Sequence, residues 1–549
     1  MATAVRVGDL LISKGFLDKR QLNIALIQQK VTGDMLGDTL INLGFVTSAE
    51  LAQSLAEQSN LEYVDLNTYV VAEEALKVVP KELAEKIGFI PMDIDDGVLT
   101  VGVSNPSNVL AIDIVTKMTR HTPKVYIVDA DSFRDSLERA YFFLQNPIQD
   151  RMSAIINEIK TTGTATGNAV TALTELVIMD GIRKNATDVH INPTSSVIQI
   201  FYRIDGVLQY GHCIPRAAHT GIVSRIKILS HLDIAEQRLP QDGSFRFTIL
   251  NRAYDIRVST VPTVYGENVV MRLLTGSASL LRIDKLGFDA ANTARIKALF
   301  QKSSGIVLIT GPTGSGKTTT LYAALREIDL IERNVITVED PVEYKLSLIK
   351  QTQVNEKVGY DFALAGRNFM RQDPDVMLLG EIRDEETARI AIRASITGHL
   401  VLSTLHANDA VSAIPRLIDL KVDRFLLSSS ILAVMAQRLI RKVCVYCKKN
   451  YVLNEQEIDA FKEAGITPSA PVKAAGCPKC NGTGYAGRMV IGEIMIVDDD
   501  IREMIYSGGS ITALKTAAVK KGMVPLKESA MLRAAEGTTT YDEAMRVTG

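Results

Sequence analysis

The sequence predicts a multidomain α/β protein. A helical tandem repeat and a small α/β domain come first, then a strand-rich domain, then a parallel-sheet core with a cysteine-bearing excursion. Three observations carry this reading. A pattern near the N-terminus recurs within the first 58 residues, alternating β-branched runs fill the middle of the chain, and the buried run GIVLIT opens a strand–glycine loop–helix unit in the second half.

The repeat aligns RVGDLLISKGFLDKRQLNIALIQQ (6–29) with MLGDTLINLGFVTSAELAQSLAEQ (35–58). Identical pairs include Gly8/Gly37, Leu11/Leu40, Gly15/Gly44, Leu22/Leu51, Leu26/Leu55 and Gln29/Gln58. Each unit reads as a short helix, a glycine stop and a second helix, with Leu22, Leu26 and Gln29 on one helical face at i, i+4, i+7. The plainest reading is a small helical bundle with leucine in its core. Residues 62–145 mix strand-like runs (LTVGVS, KVYIVD) with amphipathic helix, so 1–145 is expected as one N-terminal region. TTGTATGN (161–168) has linker composition, which sets a linker at 146–168. IQIFYRIDGVL, FRFTIL and YDIRVST then alternate as strands of an α/β domain at 169–285. The core is expected at 286–549, with an excursion at 441–485 and a mostly helical tail from 486.

GIVLIT-GPTGSGKT-TTLYAAL places G-x-x-x-x-G-K-T between a buried strand and a helix. Gly311, Gly314 and Gly316 let the backbone turn its N–H groups toward phosphate oxygens, and Pro312, Thr313, Ser315 and Thr319 complete the loop. The helix N-terminus adds partial positive charge. Lys317 is placed to reach the β- and γ-phosphates of ATP, and Thr318 to hold Mg2+. The apolar run DVMLLGEIRD (375–384) carries Glu381 just past a strand, where a carboxylate serves the metal and water. ITVEDPVEY (336–344) sets Glu339, Asp340 and Glu343 at another strand end, and TGHLVLSTLH (397–406) brackets a buried strand with His399 and His406. Two histidines beside a phosphate site could report the state of the γ-phosphate.

CVYC and CPKC supply Cys444, Cys447, Cys477 and Cys480 as two knuckles. Four thiolates make a closed tetrahedral Zn2+ site, which is structural because no position is left for water. Cys213 stands alone and reads as packing.

Composition narrows the function classes. Of 549 residues, 61 are Lys or Arg and 63 are Asp or Glu, a net charge of −2, so no global basic field favours nucleic acid. At 46% hydrophobic and 23% charged, the chain is not disordered throughout. No run is long and apolar enough for a transmembrane helix, and the first twenty residues do not read as a signal peptide. The expected location is cytoplasmic, with any membrane connection made through a partner.

The glycine loop, TVEDPVE, RQDPDVMLLGEIRD and TGHLVLSTLH together resemble the secretion ATPases that power type IV pilus assembly and type II secretion. RIKILSHLDIAEQRLPQDG (225–243) and VSTVPTVYGENVVMRLL (258–274) extend the resemblance over 170–549. It implies a hexameric ring of RecA-like P-loop ATPase domains, each preceded by a smaller α/β domain, working at an inner-membrane platform protein. It also implies that Glu343 is the catalytic carboxylate, Glu381 the Walker B carboxylate, and Arg257 and Arg272 the arginine fingers. Arg203, Arg238 and Arg246 of the same domain are reserve candidates that read first as surface ion pairs. The same family carries the metal-binding module. The tandem repeat resembles the cyclic di-GMP-binding N-terminal domain of a subset of these ATPases. The implied contacts are Arg6, Gly8, Leu22, Leu26 and Gln29, then Gly37, Leu51, Leu55 and Gln58. Met35 stands where an arginine is common. Helical docking onto a membrane platform is the alternative role for this region. For the whole chain the alternatives are a type II secretion motor, a nucleic-acid motor on the same core, or a nucleotide-regulated switch with negligible turnover.

Overall fold

The computed structural model describes residues 6–106, 108, 113–250, 252–275 and 281–549. It contains two compact units, Met1–Ile27 with Val46–Ala278, and Gln28–Phe45 with Ser279–Gly549.

Each half of the repeat forms the expected pair of helices: Val7–Ser13 and Lys19–Thr32, then Leu36–Asn42 and Ser48–Gln58. The glycine stops fall at Gly15 and Gly44, whose positive φ of 70° and 74° only glycine adopts cheaply. Thr47 and Glu50 close a capping box on the last helix. The core leucines are Leu11 and Leu40, both fully buried. Leu22, Leu51 and Leu55 are only half-buried and Leu26 is exposed, so the motif leucines face outward more than a bundle core requires. The next residues form a four-stranded sheet in the order Glu62–Tyr63, Thr122–Ile127, Val98–Val103, Phe89–Asp95. Phe89, Ile90, Leu99, Val101 and Val103 are sealed from solvent there, against the helix Ala130–Gln145.

The expected linker is mostly helix. Ile148–Thr162 is a helix whose Ile148, Met152 and Ile159 recur on one face and join the core of the following domain. Gly163 ends it and Thr166 caps the next helix, Gly167–Arg183, so the small polar residues are caps. That domain is a six-stranded antiparallel sheet ordered Val207–Pro215, Val197–Ile204, Asp188–Pro193, Gly266–Thr275, Arg252–Thr263, Gln241–Ile249. Buried Ile256, Val258, Val269 and Met271 share a core with Leu173, Leu176 and Val177 of the helix Gly167–Arg183. The alternate residues leave Arg257 and Arg272 exposed on the other face.

The second unit holds a seven-stranded sheet ordered Lys350–Gln353, Val335–Glu339, Val376–Leu379, Leu400–Leu405, Gly305–Thr310, Ile431–Val443, Tyr485–Ile496. Six strands are parallel and the last is antiparallel. The tail therefore starts with a strand, and turns helical only from Asp499. Its apolar run MVIGEIMI completes the sheet against Ile431–Val443. The described residues contain no helix long and apolar enough to cross a membrane.

Candidate functional site

The strand Gly305–Thr310 is buried at every residue, as a central parallel strand must be. The chain leaves it at Gly311, wraps through Gly316 in the left-handed region (φ 87°), and enters the helix Lys317–Leu325. Lys317 Nζ donates to the carbonyls of Gly311 at 2.8 Å and Pro312 at 3.1 Å, so the ammonium lies across its own loop. Burial lowers its pKa, as does Arg438, while Glu381 opposes the shift. Thr318 and Thr319 are exposed at the helix start.

Three further strands end at the same edge. Thr310 Oγ1 donates to the Ala407 carbonyl and accepts the Ala407 N–H, latching the loop after His406 to the phosphate-loop strand. Thr404 Oγ1 donates to the Gly380 carbonyl and Ile382 N–H to the Thr404 carbonyl, which fixes the turn bearing Glu381. Glu381 is thereby 3.5 Å from His406 Nε2, and it pairs with Arg383, whose guanidinium also lies 3.9 Å from Asp340. Glu343 is exposed in the loop beyond the acidic strand. A cavity of about 370 Å³ opens beside Gly311 and Pro312, lined also by His406, Asn408, Arg416 and Asp419.

Two residues expected here take other places. His399 precedes the strand Leu400–Leu405, at the end opposite His406 and some 20 Å away at about 3.3 Å per residue. Its Nδ1 is 2.9 Å from the Ala394 carbonyl, a local bond at the end of a helix. The motif brackets the strand, and a strand separates its ends. Glu339 is 5% exposed, and its oxygens accept from Tyr322, Thr337 at 2.6 Å and Gln351 at 3.2 Å. It is fully engaged as the anchor of the acidic strand.

The cysteines converge as the spacing indicates. Their sulfurs all lie within 4.8 Å of one another, with Cys444–Cys477, Cys447–Cys480 and Cys477–Cys480 at 3.9, 3.8 and 3.7 Å. A tetrahedron of about 2.3 Å Zn–S bonds has edges near 3.8 Å, whereas a disulfide is about 2.05 Å. Burial pushes the Cys480 thiol up, but N–H donors from Cys477 and Gly484 outweigh this and bring it down to about 7. Cys213 is exposed rather than packed.

On the antiparallel sheet, one transverse row reads Arg203, Asp188, Arg272, Arg257. Asp188 pairs with Arg272 at 3.0 Å and Arg203 at 3.7 Å, while Arg246 pairs with Asp255 and Arg238 with Glu236. No described residue forms an ion pair with Arg257.

Sequence reasoning missed Gln437 and Arg438, polar residues inside the buried strand Ile431–Val443. Their signal was a Gln-Arg pair interrupting an apolar run, ILAVMAQRLI. It also missed Arg416 and Asp419 on the helix Ala413–Asp419 at the cavity wall.

The profile of the type II/IV secretion system protein family matches residues 164–546. The chain belongs to this family. Its members include relatives along the whole length: the type IV pilus assembly ATPase PilB of Myxococcus xanthus is 37% identical over 98% of both chains. The type II secretion system protein E of Xanthomonas campestris is 35% identical over 99% of this chain and 98% of its own. The solved structure of the ATPase DotB of Legionella pneumophila has the same fold over 68% of this chain and 94% of its own, at 19% identity and a TM-score of 0.50. The family assignment makes the chain an ATPase with a RecA-like core. A second profile, the MshEN domain, matches 59–143, the small α/β half of the N-terminal region, and begins just after the tandem repeat.

Proposed function

We propose that this ATPase is a homohexameric motor that uses Mg2+-ATP to polymerise pilin in type IV pilus assembly. It acts on the cytoplasmic side of the inner membrane through a platform protein. The likeness to a pilus assembly ATPase over 98% of both chains carries this reading. Lys317 and the loop Gly311–Thr319 grip the phosphates, with Thr318 and Glu381 serving Mg2+. Glu343 orients and deprotonates the attacking water. Arg257 and Arg272 bring positive charge to the γ-phosphate of a neighbouring subunit, a contribution of about 10³–10⁵ in rate for such fingers. The four cysteines hold Zn2+ as a folding element. Cyclic di-GMP regulates the motor through the motif residues of the repeat, of which Arg6, Leu26 and Gln58 are exposed, just ahead of the MshEN match at 59–143.

A specific observation favours a second reading, a type II secretion motor: the likeness to protein E is as long and nearly as strong. A chromosomal Lys317→Ala strain separates the two. Loss of surface pili with normal protein export supports the pilus motor, and loss of export with normal piliation supports the alternative.

A further inference from the structure

Gln437 lies at the carboxyl end of the sheet, one residue past the point where Ala436 pairs with Thr310. It is fully buried. Its Nε2 donates to the Ser315 carbonyl at 2.8 Å, and a Cβ on Gly316 would stand 3.3 Å from that nitrogen. A Cβ on Gly311 would stand 2.6 Å from the Gln437 carbonyl oxygen, so the strand abuts both ends of the phosphate loop. Because Ser315 offers a carbonyl, only the amide's N–H end can face it, which leaves Oε1 buried without a partner. The next residue grips the other side of the site: Arg438 donates to the carbonyl of Asn408, in the loop after His406, at 2.7 Å. Glu493, on the neighbouring strand, accepts the Ala410 N–H of that loop at 2.6 Å.

The peptide plane gives this contact a consequence. In a trans peptide the C=O and the following N–H point in opposite directions. A carbonyl of Ser315 pinned down onto Gln437 therefore turns the N–H of Gly316 away from the sheet, to the side where the loop encloses phosphate. We propose that Gln437 is a positioning residue for ATP hydrolysis, acting through the Ser315–Gly316 peptide, with Arg438 holding the loop of His406 in step. The inference rests on the reading of Gly311–Thr318 as the phosphate loop.

The test uses the full-length chain with Mg2+-ATP and with ADP. Gln437→Met keeps the volume and removes the donor. It should retain zinc content and far-ultraviolet dichroism, weaken binding of both nucleotides, and lower kcat/KM by about ten- to a hundredfold, the scale of one unsatisfied buried acceptor. Gln437→Glu keeps the shape and donates only when protonated. A buried carboxyl titrates above its ordinary range. The kcat/KM of Gln437→Glu relative to wild type should therefore rise as pH falls from about 8.5 to about 6, while the ratio for Gln437→Met stays flat. A glutamine that does not act through the loop would leave nucleotide binding and kcat/KM of Gln437→Met at the wild-type level throughout this pH range. Wild-type kcat/KM in Gln437→Met overturns the proposal, as do identical pH ratios for the two variants. Lys317→Ala is run alongside. If it binds nucleotide as wild type does, the phosphate-loop reading itself fails; if it loses binding, the Gln437 result stands alone.

Discussion

Arg272 donates from Nε to Asp188 Oδ1 at 3.0 Å, and Arg203 reaches the other oxygen of the same carboxylate at 3.7 Å. Asp188 is buried while the Arg272 side chain is half exposed, so the carboxylate steadies an arginine that solvent still reaches. Such a residue is pre-aimed without being spent. If it acts as a finger, its effect falls chiefly on the transition state. Arg272→Ala and Arg257→Ala should each lower kcat by at least about 100-fold while leaving ATP affinity nearly unchanged. Asp188→Asn should give a smaller loss of kcat. Steady-state hydrolysis and nucleotide titration check this, and unchanged turnover in both arginine variants removes the finger assignment.

Lys317 and Glu343 should fail differently. Lys317→Ala removes the cation that crosses the phosphate loop, so both nucleotide binding and turnover should be lost. Glu343→Gln should bind ATP normally and hydrolyse it at least about 100-fold more slowly. A Glu343→Gln defect confined to binding would reassign that residue.

Three edges of the cysteine tetrad, at 3.7–3.9 Å, match those of a zinc tetrahedron, and all four sulfurs lie within 4.8 Å of one another. Cys477→Ser should bring zinc below one per chain by elemental analysis. Amide exchange should accelerate in the paired strands Lys448–Asn450 and Val472–Ala474, which the knuckles enclose. Full zinc content in the variant would show that the sulfurs meet for another reason.

Asp180 makes stability depend on pH. Burial raises its carboxyl pKa, but hydrogen bonds from His212, Lys184 and Arg183 outweigh it and hold the group well below the usual carboxylate range. A depressed folded pKa stabilises the fold fully above the unfolded value of about 3.9, and this is lost as pH falls below it. Asp180→Asn should cost about 1–3 kcal/mol at pH near 7.5, because a buried carboxylate loses its charge-assisted hydrogen bonds to partly exposed Arg183 and Lys184. The gap should narrow below about pH 4. Exchange protection of the helix Gly167–Arg183 reports it.

Arg6 is exposed at the first helix, and Met35 caps the equivalent helix of the second repeat. If the repeat binds cyclic di-GMP, Arg6→Ala should weaken binding more than Met35→Ala, and Met35→Arg should tighten it. GMP should bind far more weakly, since tethering supplies effective concentration. Calorimetric titration of the full chain decides this; no heat at roughly 100 μM ligand, where even −5 to −6 kcal/mol would register, leaves the repeat as a docking element.

The sequence by itself determined what depends on neighbours along the chain. The glycines of Gly311–Gly316 follow a buried strand and start a helix, so the loop was legible from local chemistry alone. The two knuckles of cysteine and the helix–glycine–helix repeat were legible for the same reason. Tertiary structure decided whatever depends on which strand lies beside which. His399 and His406 share a motif, but a parallel strand carries them to opposite ends of the sheet. Glu339 and Glu343 look equivalent in a row of acids, yet the strand buries the first and the loop exposes the second. The isoleucines of Ile148–Thr162 became helix core because a sheet was there to receive them, despite the linker-like residues that follow. Gln437 reaches Ser315 across 122 residues of sequence, because the sheet places the strand Ile431–Val443 directly beside the phosphate-loop strand. Local spacing fixes backbone conformation, but burial and pairing are set by the order of strands, which no single segment encodes.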